Sequence, residues 1–122
     1  MEHKPSLTVY YDGACPVCAR EIGVYRGCAG ADDIAWVDVG ANDAPPRVAE
    51  DLTRDQALAR FHVRGADGTL VSGAAAFAAL WRHLPAWRLL GRVASFGPIT
   101  RALETLYRGF LVWRRRRAAS SR

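Results

Sequence analysis

The stretch Tyr10-Tyr11-Asp12-Gly13-Ala14-Cys15-Pro16-Val17-Cys18 limits most sharply what this chain can fold into. An apolar run, Leu7 to Tyr11, ends in Asp12-Gly13, and two cysteines follow at a spacing of three. Downstream, Cys18, Ile22, Tyr25 and Ala29 fall at i, i+4, i+7 and i+11, a single apolar stripe at helical period. The segment therefore reads as strand, tight loop, CxxC, helix. Pro16 suits the first helical turn, where its missing N–H would have had no partner. Cys15 then sits at or next to the N-cap, where unpaired backbone N–H groups and the helix dipole favour an anion. Thiolate is the reactive form of cysteine, and such a position lowers its pKa by about one to several units from roughly 8.5. The chemistry indicated is redox.

The rest of the chain supplies a frame for that segment. The first helix is expected to end near Gly27 or Gly30, either of which can take a left-handed C′ conformation. Ile34 to Val39 is a nearly continuous apolar run, as in strands buried on both faces. A helix between two such strands argues for a parallel, right-handed β-α-β unit. Gly40 to Asp51 contains Pro45-Pro46 and reads as a loop. Thr53 and Gln56 form a capping-box pattern for a short helix reaching about Arg60. Phe61–Arg64 and Thr69–Val71 flank Gly65-Ala66-Asp67-Gly68, a hairpin signal. Phe77, Leu80, Trp81 and Leu84 mark the next helix, which Pro85 stops. The order β-α-β-α-β-β-α, with a CxxC opening its first helix, is that of a thioredoxin-like α/β fold.

At 122 residues, half of them hydrophobic and a quarter charged, the chain is expected to form a single domain. Its core spans about 6–85 and a helical extension about 86–122. In that extension Trp87, Leu90 and Val93 suggest a short helix. Gly97-Pro98 restarts a longer one, along which Ile99, Leu103, Leu106, Phe110 and Trp113 alternate steps of four and three. Arg114 to Arg117 close it, followed by a short polar tail expected to fray.

The net charge of +5 is unevenly placed. Residues 1–80 hold seven basic against eleven acidic side chains, whereas 81–122 hold ten arginines against the single Glu104. No nucleic-acid recognition motif accompanies these arginines, so nucleic acid is not an expected partner. Either the apolar stripe covers one face of the sheet and the arginines are solvated, or Trp87, Phe110, Trp113 and Arg114–Arg117 dock on an anionic membrane or a protein partner. No signal peptide is expected from Met1–Ser6 and no window reaches membrane-spanning length, so the expected location is cytoplasmic, with membrane association as an option.

The two thiols divide the chemistry. Cys15, nearer the helix start and more exposed, is the expected attacking thiolate. Cys18, one turn in, is the expected resolving thiol. Their spacing puts both on one helical face, within disulfide reach. Cys28 lies ten residues beyond Cys18, roughly 15 Å along an intact helix, and reads as a small buried hydrophobe. A structural zinc site usually needs four ligands, and Cys28, His3, His62 and His83 show no partner spacing, so neither metal nor cofactor is expected. Asp12 has two readings: its carboxylate accepts loop N–H groups in the strand-to-loop turn, or it exchanges a proton with Cys18. By strand alternation one of Tyr10 and Tyr11 must face the core.

The pattern Tyr11-Asp12-Gly13-x-Cys15-Pro16-x-Cys18 resembles the signature of the DCC family of thiol-disulfide oxidoreductases, named for its DxxCxxC motif. The likeness continues through the Asp67-Gly68 hairpin, Gly73 and an Ala-Phe helix to Tyr107 and the arginine segment. It implies a small thioredoxin-like protein with Asp12, Cys15 and Cys18 as functional residues; Tyr11, Gly13 and Pro16 are further candidates for contacting substrate. The substrate would be a disulfide-containing protein or a low-molecular-weight thiol. Thioredoxins and glutaredoxins carry a cis-proline before the hairpin, facing the CxxC. No proline occurs here between Pro46 and Pro85, so that docking element is missing. The competing function is a non-catalytic redox sensor or metal-handling CxxC module, docked through its basic C-terminal helix.

Overall fold

A computed structural model describes residues 5–120, with side chains described through Arg117. His3, one of the weighed metal ligands, and the last two tail residues lie outside that range. The first strand, β1 (Leu7–Tyr11), leads through the CxxC loop into α1 (Pro16–Arg26), and a 3-10 turn precedes β2 (Ile34–Asp38). Next come β3 (Arg47–Ala49), β4 (Leu52–Thr53), α2 (Arg54–Ala59), β5 (His62–Gly65) and β6 (Leu70–Ser72). Three helices follow: α3 (Ala74–His83), α4 (Arg88–Ala94) and α5 (Gly97–Ser120).

Four strands form one sheet in the order β2-β1-β5-β6. The β1–β2 pair is parallel, with Leu7 opposite Ile34, while β5 runs antiparallel to both β1 and β6. This is the thioredoxin-like α/β arrangement. Alternation along β1 separates the two faces. Leu7 and Val9 join Ile22, Tyr25 and Leu80 under α1 and α3, whereas Tyr10 joins Val39, Leu52 and Ala57 under α2. Tyr11 is half-buried on the α1 side.

Several local expectations are revised. Gly27 ends α1 in a right-handed conformation, and Gly30, at φ 90°, takes the left-handed one. Ala29 is exposed because α1 has already ended. Cys28 is half-buried against the main core, its thiol donating to the Val24 carbonyl at 3.4 Å. β2 is an edge strand and mostly half-buried rather than covered on both faces. The loop after it contains the β3–β4 hairpin, too short to show alternation. The Thr53–Gln56 capping box forms reciprocally at the start of α2.

The C-terminal helices differ most from their apolar pattern. α4 packs on α3 through Gly91 and Ala94, and a Cβ at Gly91 would fall 2.4 Å from the Arg82 nitrogen. That close approach leaves Leu89, Leu90, Val93 and Phe96 facing outward. Trp87 turns inward, edge-on to Tyr25 at 5.3 Å, and so is no surface anchor.

On α5, Leu106 is 70% and Trp113 46% exposed, so the expected stripe is buried only in part. Its Ile99, Leu103 and Phe110 are half-buried, and Glu104, Tyr107, Leu111 and Arg114 turn inward beside them. The helix runs on through the arginines to Ser120. It is fastened by polar groups. Glu104 accepts from Arg60 at 2.8 Å and from the Ala74 N–H, at the start of α3, at 3.2 Å. The Phe61 N–H donates to the Tyr107 hydroxyl at 2.6 Å, and Arg114 donates to the Leu58 carbonyl at 2.9 Å. These bonds bring α5 to the mouth of the CxxC rather than across the sheet.

Candidate functional site

The loop between β1 and α1 is held by two carboxylates. Asp12 Oδ1 accepts from the Ala14 N–H at 3.0 Å, and the Asp12 carbonyl accepts from the Cys15 N–H at 3.2 Å. Asp38 Oδ1 accepts from the Gly13 N–H at 2.8 Å and the Gly40 N–H at 2.9 Å, tying this loop to the end of β2. The packing leaves room only for glycine at both positions. A Cβ on Gly13 would sit 2.1 Å from Asp38 Oδ2, and one on Gly40 would sit 2.1 Å from Asp12 Oδ1. Gly13 is thereby engaged in shaping the loop.

Cys15 is the N-cap of α1, at φ −83° and ψ 118°, and its carbonyl accepts the first helical bond from Ala19. Pro16 occupies the first turn, as its fixed φ favours. Cys18 lies one turn in and deeper, lining a mainly apolar cavity of about 240 Å³ together with Asp12, Tyr11, Tyr107, Phe110 and Arg114. Cys15 and Pro16 face a separate open groove. The thiols thus share a helix face but address different spaces.

Arg114 completes the site. Its Nη1 donates to Cys18 Sγ at 3.4 Å and lies 4.0 Å from Asp12 Oδ2, while its Nη2 is fixed on Leu58. The two thiols are pulled in opposite directions. Burial opposes ionisation of Cys15, but the Cys18 N–H, the Cys18 thiol and the Arg114 guanidinium outweigh it and hold Cys15 below its ordinary pKa. Burial pushes Cys18 up to about 12, reinforced by the hydrogen bond and charge of Cys15 against the opposing effect of Arg114. Cys15 is therefore the thiol that ionises first.

The residues read from sequence come together, with additions. Asp12, Cys15 and Cys18 are contiguous, Tyr11 lies behind Cys18, and Pro16 borders the groove. Asp38 and Arg114 were not anticipated as parts of the site. Arg114 was counted among the tail arginines, although Tyr107, Leu111 and Arg114 recur at i, i+4 and i+7, a partly polar stripe beside the apolar one. Among the described residues, no three His, Cys, Asp or Glu side chains gather as they would around a metal ion.

A parallel β-α-β unit opening on a CxxC, joined to an antiparallel hairpin, defines a thioredoxin-like dithiol protein. Comparison with known proteins narrows the class: the chain belongs to the DCC1-like thiol-disulfide oxidoreductase family, whose model matches residues 9–120. It is 28% identical over 111 residues to an uncharacterized chloroplastic protein of Arabidopsis thaliana. The match covers 87% of this chain and 51% of that protein, so the chain spans about half the relative's length. No solved structure matches significantly. Among the described residues, no helix is long and apolar enough to cross a membrane.

Proposed function

We propose that this chain catalyses dithiol–disulfide exchange with Cys15 as nucleophile and Cys18 as resolving thiol. The observation that carries the reading is the opposed setting of the two thiols, Cys15 held toward thiolate and Cys18 held protonated at about 12. The Cys15 thiolate attacks one sulfur of a substrate disulfide, forming a mixed disulfide and expelling one thiolate. Cys18 then gives up its proton and attacks Cys15 Sγ. That step forms the Cys15–Cys18 disulfide and releases the second substrate thiolate. The protein loses two electrons, and the substrate disulfide becomes two thiols.

Asp12 is the proton acceptor for the second step in this reading. It shares the mainly apolar cavity with Cys18, which at about 240 Å³ has room for a water bridging Asp12, Arg114 and Cys18. Arg114 favours each thiolate as it forms. The attachment of Arg114 to Leu58 fixes that charge before reaction, so little reorganisation is needed.

The test is single turnover of the reduced chain on a model disulfide. Cleavage should outpace that by a free dithiol, Cys15→Ser should abolish it, and Cys18→Ser should accumulate the mixed disulfide, read by intact mass. Full activity in Cys15→Ser, or stoichiometric metal on both cysteines with no exchange, would overturn the reading in favour of a metal-handling module.

A cytoplasmic enzyme held reversibly at an anionic bilayer is the accompanying reading. Leu89, Leu90, Val93 and Phe96 project from the α4 corner beside Arg88 and Arg92, the composition of an interfacial helix. Sedimentation with anionic but not zwitterionic vesicles is expected, and Leu89→Glu with Phe96→Glu should abolish it. Equal recovery with both vesicle types would exclude this attachment.

A further inference from the structure

We propose that the substrate is a small anionic disulfide, bearing carboxylates a few bonds from its sulfurs, bound in the groove between the CxxC and the end of α5. This rests on the dithiol reading above. The groove is about 540 Å³, with Cys15 and Pro16 on one wall and Trp113, Arg115 and Arg117 on the other. Cys15 faces this space and Cys18 the cavity behind, so a disulfide entering the groove meets the nucleophile first.

Three observations select the substrate class. The volume is that of a small-molecule site. The lining carries Arg114, Arg115 and Arg117 against the single carboxylate of Asp12, which is bonded to the Ala14 N–H and lies 4.0 Å from Arg114. Arg117 stacks over Trp113 at 5.4 Å, placing its charge at the mouth. Such a cationic cleft concentrates anions and stabilises the departing thiolate. Finally, the Phe61 N–H ahead of β5 is taken by the Tyr107 hydroxyl beneath α5, so it offers no donor to an extended peptide. That favours a compact ligand over a peptide strand.

The test uses the reduced 122-residue chain and three disulfides of matched length: dithiodipropionate (dianionic), bis(2-hydroxyethyl) disulfide (neutral) and cystamine (dicationic). Each single-turnover rate is divided by that of a free dithiol on the same disulfide. The dianion should lead the dication by about tenfold or more at low ionic strength, with the ratio falling toward one near about 0.5 M salt. Arg115→Gln with Arg117→Gln should remove the preference, and the corresponding double Glu variant should invert it. Cleavage of all three at equal normalised rates, or a lead for cystamine, would overturn the proposal and leave the dithiol reading standing. Faster cleavage of a disulfide flanked by glutamates in a peptide than of dithiodipropionate would overturn the small-molecule assignment. Cleavage of none above the free dithiol would overturn the dithiol reading itself.

Discussion

Arg114 donates to the sulfur of Cys18 across 3.4 Å, although the two residues are 96 positions apart in sequence. The contact makes the last helix part of the dithiol site. It also adds to what holds Cys15 below its ordinary pKa: burial opposes ionisation, the Cys18 N–H and thiol favour it, and the Arg114 guanidinium adds its hydrogen bond and charge.

Replacing Arg114 should therefore change the titration of Cys15 before it changes the fold. In Arg114→Ala the alkylation midpoint should rise toward roughly 8.5, slowing reaction with iodoacetamide at pH 7 by about 3–10-fold. Arg114→Lys should recover part of the shift, since the charge returns without the second bond to Leu58. The pH profile of alkylation decides the matter, because lost packing alone would relieve the burial that opposes ionisation and move the midpoint down rather than up.

Asp12 separates a turn-forming role from a proton-accepting one. Asn at this position can still accept from the Ala14 N–H, so Asp12→Asn should preserve stability within about 0.5 kcal/mol. The first exchange step should remain, while resolution slows by about 10–100-fold, within the range of general base catalysis. Quenched mass spectra should then show the mixed disulfide on Cys15 persisting. Rapid resolution in the variant would assign Asp12 to the turn alone.

Glu104 fastens α5 to the core, and its contribution should depend on pH. Burial works against its ionised form, but Arg60, the Ala74 N–H and Arg108 outweigh it and hold the carboxyl below its ordinary pKa. A depressed folded pKa means that the stabilisation is complete above the unfolded value of about 4.3. It is lost as pH falls through the lower folded value. Glu104→Gln should cost roughly 2 kcal/mol at pH 7, the scale of a lost charged hydrogen bond. Urea unfolding of both forms should show that difference shrinking below about pH 4.

Gly40 is a packing constraint on the site. Its substitution by Ala would bring a Cβ to 2.1 Å from Asp12 Oδ1 and 3.0 Å from the Ala14 nitrogen. The CxxC loop would have to shift, with an expected loss of about 1–3 kcal/mol. Exchange activity should fall with it, measured beside urea unfolding on the same preparation.

How much of this was legible varies with the range of the interaction. The turn at Asp12-Gly13, Pro16 in the first turn of α1, the Thr53–Gln56 box and the Asp67-Gly68 hairpin all act within a few residues and were readable. The β3–β4 hairpin was not, because strands of three and two residues carry no period. Apolar periodicity on α4 marked Leu90 and Val93, which face outward, and on α5 it marked only part of the inward face. Gly91 and Ala94 pack because they are small, leaving Leu89 and Phe96 outside. Tyr107 and Arg114 turn inward because Phe61, Leu58 and Cys18 offer hydrogen-bonding atoms there.

By itself, then, the sequence determined a strand–loop–CxxC–helix unit in a β-α-β-α-β-β-α frame, and with it the place of the two thiols at the start of that helix. Those features follow from local backbone chemistry and hydrophobic spacing. Only the tertiary structure decided which polar residues of the last helix face the dithiol, and that an arginine supplies its charge. A polar side chain is drawn inward by partners far along the chain, and such partners leave no mark on local periodicity.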